Sequence, residues 1–267
     1  MVGVMTTDLP RNFPCLYFVT NKHVITGGST TIRMKTKDGR NDILPTDERA
    51  WVFHPSGDDL AICQVFLDPR QYKFSYIDRT CFIDKSIVQS MNIGPGDEAF
   101  VVGRFINHEG KQQNTPSVRF GCVAQMPGEP VRQDTGFEQE SFLVESRSIG
   151  GYSGSPVFVF IPAASERQGV EDWISKILLS HGPWLLGVDW GHINDWSPVR
   201  NAVGEPINPG QPDNMQVRMN TGMMAVVPSW KLAELLDHGP VLAHRQVLTE
   251  QARAAMKSAG PPTATSD

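Results

Sequence analysis

Short apolar runs broken by turn residues recur along the whole chain. Leu16–Thr20, Thr30–Lys35, Trp51–His54 and Leu60–Phe66 make a first group. Ala99–Phe105, Ser117–Ala124, Phe142–Glu145, Pro156–Phe160, Trp184–Asp189 and Met223–Val227 make a second. Many short runs of this kind, with glycine and proline between them, predict an all-β sandwich or barrel. Strict alternation is patchy, so the pattern does not separate the two. Ile93-Gly94-Pro95-Gly96-Asp97 is a turn that launches Glu98–Gly103, which leaves Asp68–Asn92 as the link between the groups. Trp173, Ile174, Ile177 and Leu178 have helical spacing, so Val170–Ser180 reads as a short helical insertion. Asn194–Asn220 is rich in Pro, Asn, Gly and Asp with little periodicity and reads as a long surface loop. Ser229 reads as the N-cap of a helix over Trp230–Leu236. An exposed helix follows over Val247–Ala259, and Gly260–Asp267 is a tail without core-forming residues.

Composition narrows the class. The 267 residues are 40% hydrophobic and 20% charged, with 24 Gly and 20 Pro, as suits one large or two small turn-rich domains. A net charge of −5, without a basic stripe interleaved with aromatics, gives nucleic acid no electrostatic footing. No apolar run approaches the roughly 18 residues of a membrane span. Met1–Pro14 has neither the basic start nor the apolar core of a secretion signal. Cys15, Cys63, Cys81 and Cys122 form no Cys-x-x-Cys pair, and there is no His-Glu-x-x-His, so no metal is predicted. The expectation is a cytoplasmic protein whose four cysteines are reduced and mostly buried.

The chemistry concentrates in Gly150-Gly151-Tyr152-Ser153-Gly154-Ser155-Pro156, a glycine-rich turn entering Val157–Phe160. A serine hydroxyl is a weak nucleophile until a base stands beside it. A tight turn can aim the N–H groups of Gly151 and Ser153 at one point as an oxyanion hole. The plainer alternative is a strand-entry turn. His23, at the end of the run Tyr17-Phe18-Val19-Thr20, is a candidate base, with His54 beside Pro55 as its rival among seven histidines. Asp58 and Asp59 precede the apolar run Leu60-Ala61-Ile62 and offer a carboxylate. The order His, Asp, Ser is one of the known orders of a Ser-His-Asp triad. An α/β-hydrolase is disfavoured, because its elbow is Gly-x-Ser-x-Gly and the last position here is Ser155.

On these residues the chain resembles the trypsin-like serine peptidases, and their bacterial intracellular and heat-shock members more than the disulfide-rich digestive ones. Thr20-Asn21-Lys22-His23-Val24 matches the segment that carries the family's general base, which favours His23 over His54. The family's aspartate stands directly before an apolar strand, which selects Asp59 and leaves Asp58 to solvent. The resemblance spans Leu16–Leu236. It implies an all-β fold of two antiparallel six-stranded barrels and a short C-terminal helix, with His23 and Asp59 from the first barrel and Ser153 from the second. Residues 1–92 would form the first barrel and the link, 93–240 the second barrel with its closing helix, and 241–267 a further helix and tail.

The resemblance also implies a substrate site. Leu185–Gly191 would pair with an extended peptide, with Asp189, Trp190 and Gly191 in the wall of the specificity pocket. Arg147 and Ser148 would lie near its base, where an arginine favours acidic side chains. The plainer alternatives are a core strand ending in a turn and a surface arginine. Three positions depart from the digestive members. Val24 replaces a cysteine, Tyr152 replaces an aspartate that pairs with a freed N-terminus, and Asp189 replaces a serine close to the triad carboxylate. A second carboxylate there has to be turned away from Asp59 or paired, with His192 or Arg200 as partner.

The implied activity is that of a serine endopeptidase acting on a polypeptide through an acyl-enzyme, without a cofactor. The alternatives are a protease-fold protein that binds peptides with little or no turnover, and an esterase on the same fold. Leu16–Thr20 is the one good strand before His23, so the first barrel is expected to lack an opening strand. An upstream segment or another chain would then cover the bare edge.

Overall fold

Strands dominate the computed structural model, which describes residues 2–4, 15–104, 116–132, 136–146, 151–161, 183–207 and 215–258. The chain divides into a first unit, Met1–Phe82 with Trp230–Asp267, and a second, Ile83–Ser229. The C-terminal helices therefore return to the first unit, where the sequence assigned the closing helix to the second barrel.

The first unit contains β1 (Val2–Val4), β2 (Cys15–Thr20), β3 (Thr31–Thr36), β4 (Asn41–Pro45), β5 (Val52–Phe53), β6 (Ala61–Val65), β7 (Tyr72–Lys73) and β8 (Ile77–Asp78). These form a five-stranded sheet, β5-β6-β2-β1-β8, and a three-stranded sheet, β4-β3-β7. Among the described residues they do not close into a single circuit. A short strand does precede β2: β1 pairs antiparallel with β2, Val2 opposite Tyr17, and parallel with β8. A strand of three residues is too short to display an apolar pattern, which is why the sequence did not reveal it. Ile25, Trp51, Ala61 and Cys63 make a core cluster, with Phe18, Ile32, Phe53 and Val65 packed against it.

Between β2 and β3 runs a single helical turn, α1 (Lys22–Thr26). In the second unit α2 (Lys85–Ser90) is capped by Asp84, whose carboxylate accepts the Ile87 N–H at 2.7 Å. The C-terminal helices are α3 (Ser229–Leu236) and α4 (Gly239–Ser258). Ser229, expected as the N-cap, is the first residue of α3, and its hydroxyl donates to the Ile83 carbonyl at 2.6 Å. α4 begins at Gly239, ahead of the expected Val247, with Pro240 in the first turn, where a missing N–H is tolerated. Leu232, Leu235 and Leu236 are fully buried. Arg79 donates to both oxygens of Asp237, and buried Arg245 donates to the Leu236 carbonyl at 2.9 Å and to Asp237 at 3.1 Å. His244 on α4 meets Gln64 of β6 at 2.7 Å. No helix among the described residues is long and apolar enough to cross a membrane.

The second unit contains β9 (Glu98–Arg104), β10 (Pro116–Gln125), β11 (Val131–Arg132), β12 (Glu138–Gln139), β13 (Phe142–Glu145), β14 (Pro156–Val159), β15 (Trp184–Pro198) and β16 (Gln216–Pro228). Six of them close into a barrel, β10-β13-β16-β15-β14-β9, so here the structure answers the sandwich-or-barrel question. Ala99, Val101, Val123, Phe142, Val144, Val157 and Val159 fill it, none more than 1% exposed. The Ile93–Asp97 turn forms as expected, with the Asp97 carboxylate accepting the Gly94 N–H at 2.8 Å. The expected loop Asn194–Asn220 is corrected at both ends. β15 and β16 run on as a paired ribbon through Pro198 opposite Gln216. Trp196 and Met219 are 49% and 45% exposed there, and a ribbon that buries neither face carries no apolar alternation for the sequence to show. The expected insertion Val170–Ser180 and tail Gly260–Asp267 lie outside the described residues. All four cysteines are free, but only Cys63 is buried and the other three are half-buried.

β15 and β16 approach closely at Gly187, where an added Cβ would lie 1.9 Å from the Val227 carbonyl oxygen. Backbone cannot yield as a side chain tip can, so Gly187→Ala is expected to cost about 3 kcal/mol in urea unfolding. Gly128→Ala, whose Cβ would meet nothing within 4 Å, should stay within about 0.5 kcal/mol of the parent. Equal effects of the two would contradict this pairing.

Candidate active site

In the first unit the site is built where β2 runs into α1. Asn21 ends the strand in extended conformation, and the chain turns at once into Lys22–Thr26. This carries the His23 backbone N–H to Asp59 Oδ1 at 2.8 Å and its ring Nδ1 to Asp59 Oδ2 at 2.5 Å. The His23 side chain is 51% exposed and that of Asp59 only 9%. Asn21 does not cap α1 with its side chain; fully buried, it donates Nδ2–H to the Asp59 carbonyl at 2.9 Å. Asp59 is thus held through both its carboxylate and its main chain. The sequence singled out His23 and Asp59 but not Asn21, whose signal was only its place two residues before the histidine.

His54, the rival base, has a different partner. It is buried, with Nδ1 3.0 Å from Asp58 Oδ2 and Nε2 3.6 Å from Glu234 Oε2. Lys231 of α3 approaches the same Asp58 oxygen at 3.4 Å and Glu234 at 3.5 Å. Asp58 is therefore not left to solvent, as the sequence implied; its side chain is 11% exposed and belongs to an ion cluster beneath α3. Burial pushes its carboxyl upward, but the His54 contact and the Lys231 charge outweigh this and hold it below the ordinary carboxylate value.

In the second unit Ser153 is half-buried in the turn before β14. Gly151 and Gly154 stand at φ +93° and +86°, in the left-handed region that glycine enters without strain. The Ser155 N–H donates to the Tyr152 carbonyl at 2.8 Å. Gly154 N–H donates to the Asp189 carbonyl at 2.8 Å, and Asp189 N–H to the Ser155 carbonyl at 2.9 Å, so the β14–β15 ladder continues into the turn. Among the described residues the amides of Gly151 and Ser153 donate to no backbone carbonyl.

Asp189 is 1% exposed, and its Oδ1 accepts the Gly191 N–H at 2.9 Å. Of its two suggested partners, Arg200 donates to the Gly204 carbonyl at 2.7 Å. His192 is held below the usual histidine value by burial and then by Arg218, which disfavours it as a cation. Trp190 is 1% exposed, donates Nε1–H to Ser141 Oγ at 3.0 Å and meets Phe137 edge-on at 5.7 Å. Its ring is therefore packed in the core of the second unit. Arg147, Ser148 and Gly150 lie outside the described residues.

No family model matches the chain, and no curated protein matches it. Solved structures do. The apo MamO protease domain from Magnetospirillum magneticum is 14% identical with a TM-score of 0.43, over 86% of this chain and 91% of that one. The HtrA-type protease AlgW with decapeptide is 16% identical with a TM-score of 0.44, over 84% of this chain and 49% of that one. Deg5 is 14% identical with a TM-score of 0.39, over 66% and 68%. The chain therefore spans about half the length of AlgW.

The lowered Asp58 value has a consequence for stability. A carboxyl whose folded value lies below its unfolded one, about 3.9, stabilises above that pH, and the contribution fades as pH falls through the folded value. Asp58→Asn should lower unfolding free energy by about 2 kcal/mol at pH 7. The gap to the parent should narrow in urea melts below about pH 4. A gap that widened in acid would contradict this cluster.

Proposed function

We propose that the chain is a serine endopeptidase. The observation that carries the reading is the His23–Asp59 pair: a half-exposed imidazole held by Nδ1 and by its own backbone N–H against one buried carboxylate. A carboxylate accepting from Nδ1 keeps that nitrogen protonated and leaves Nε2 as the basic atom. In this reading Ser153 Oγ attacks the scissile carbonyl and gives its proton to His23 Nε2. Asp59 steadies the imidazolium that forms, and the N–H groups of Gly151 and Ser153 hold the oxyanion. His23 then returns the proton to the leaving amine. A water, deprotonated by His23, attacks the acyl ester and releases Ser153.

A peptide rather than a small ester is favoured by β15. At Gly187 and Val188 this strand pairs with β14 on one side and β16 on the other. From Trp190 to Pro198 it keeps only β16 among the described residues. This edge, open among the described residues, starts beside the Ser153 turn, where an extended chain can add as a further strand.

A fluorophosphonate probe tests the reading directly. Ser153 should be the labelled residue, and Ser153→Ala should remove the label. His23→Ala and Asp59→Asn should each slow labelling by about 10³-fold or more, and non-additively when combined. His54→Gln should label at the parental rate under conditions where circular dichroism shows it folded. Absent labelling of the folded parent would favour the peptide-binding alternative, and loss only in His54→Gln would move the base to His54.

A further inference from the structure

Tyr152, next to the candidate nucleophile, is 0% exposed. Its ring lies against β9 at Gly103. An added Cβ there would be 2.5 Å from the ring Cδ1 and 2.6 Å from Ser155 Oγ, so only glycine leaves room for the ring. From β10, Arg119 donates Nε–H to the phenol oxygen at 2.9 Å and lays its guanidinium over the ring, 5.0 Å from the centroid. The phenol hydrogen is then available to Ser117 Oγ, with which it pairs closely. Ser117 in turn reaches the Gly103 carbonyl at 3.4 Å. The relay runs from Arg119 through Tyr152 and Ser117 to the backbone of β9, with every donor pointing at an acceptor.

We propose that Tyr152 is a positioning residue: Arg119, Ser117 and Gly103 clamp it in the barrel wall, and the clamp holds the Ser153 turn in one conformation. The proposal rests on the reading of Ser153 as nucleophile. A turn with two glycines at positive φ has many accessible conformations, and oriented amides serve as an oxyanion hole only when they are fixed beforehand. Tyr152 supplies the fixing because its carbonyl accepts the Ser155 N–H while its side chain is anchored in the barrel. An anchor internal to the barrel makes an ion pair from a freed N-terminus unnecessary.

The test uses the full chain with Tyr152→Phe, Ser117→Ala and the double variant, since Phe keeps the ring and the fold. Fluorophosphonate kinetics separate the maximal inactivation rate from probe affinity, and hydrogen exchange reads the Gly154 and Ser155 amides. The maximal rate should fall about tenfold in Tyr152→Phe with affinity changed less than about twofold. Exchange at both amides should quicken, and the double variant should be no worse than the poorer single one. Parental kinetics with parental exchange, or slower labelling with unchanged exchange, would overturn the clamp. If the parent is not labelled at Ser153, the catalytic reading fails. Exchange then decides the clamp alone: faster in Tyr152→Phe supports it, unchanged overturns it.

Discussion

Asp59 holds its carboxylate at 9% side-chain exposure, where an ionised oxygen without partners costs several kcal/mol. The local structure of the first unit follows from answering it. One oxygen takes the backbone N–H of His23 and the other takes the ring, which requires the chain to turn into α1 directly after β2. Asn21, at the junction, ties the Asp59 main chain to the same turn. The histidine is thereby fixed in position while half of its side chain stays open to solvent.

Two adjacent carboxylates go to two different histidines. Asp59 orients an exposed ring, and Asp58 meets a buried one within a cluster completed by Lys231 and Glu234. The same chemistry thus serves two ends, and burial separates them. Because Asp58 and His54 are buried, losing a partner there is costly, and the cluster ties α3 to the rest of the first unit.

The second unit handles its serine differently. Barrel closure leaves β14 and β15 paired up to Val188, and two further backbone bonds through Asp189 extend the ladder into the turn. The serine therefore sits directly beside the end of the β14–β15 ladder. Tyr152 completes the arrangement from the other side, with its ring taking the space that Gly103 leaves vacant.

Local pattern sufficed for much of this. Runs such as Phe142–Glu145 and Pro156–Val159 read directly as strands, because one face of each is buried in the barrel. The motifs around His23, Asp59 and Ser153 were legible because each combines a reactive side chain with a strand end. β1, the β15–β16 ribbon and the burial of Trp190 were not, since a three-residue strand, a two-sided exposed ribbon and a large aromatic carry no distinguishing periodicity. The sequence by itself determined the all-β class and put forward His23, Asp59 and Ser153 as candidates for chemistry. Only the tertiary structure decided that Asp58 belongs to His54, that Asn21 braces Asp59 and that Tyr152 is anchored by Arg119 and Ser117. The last two rest on contacts between segments far apart in the chain, and the first, though only four residues apart, is closed over by Lys231 of α3; the burial that enforces them exists only once the sheets and α3 have packed.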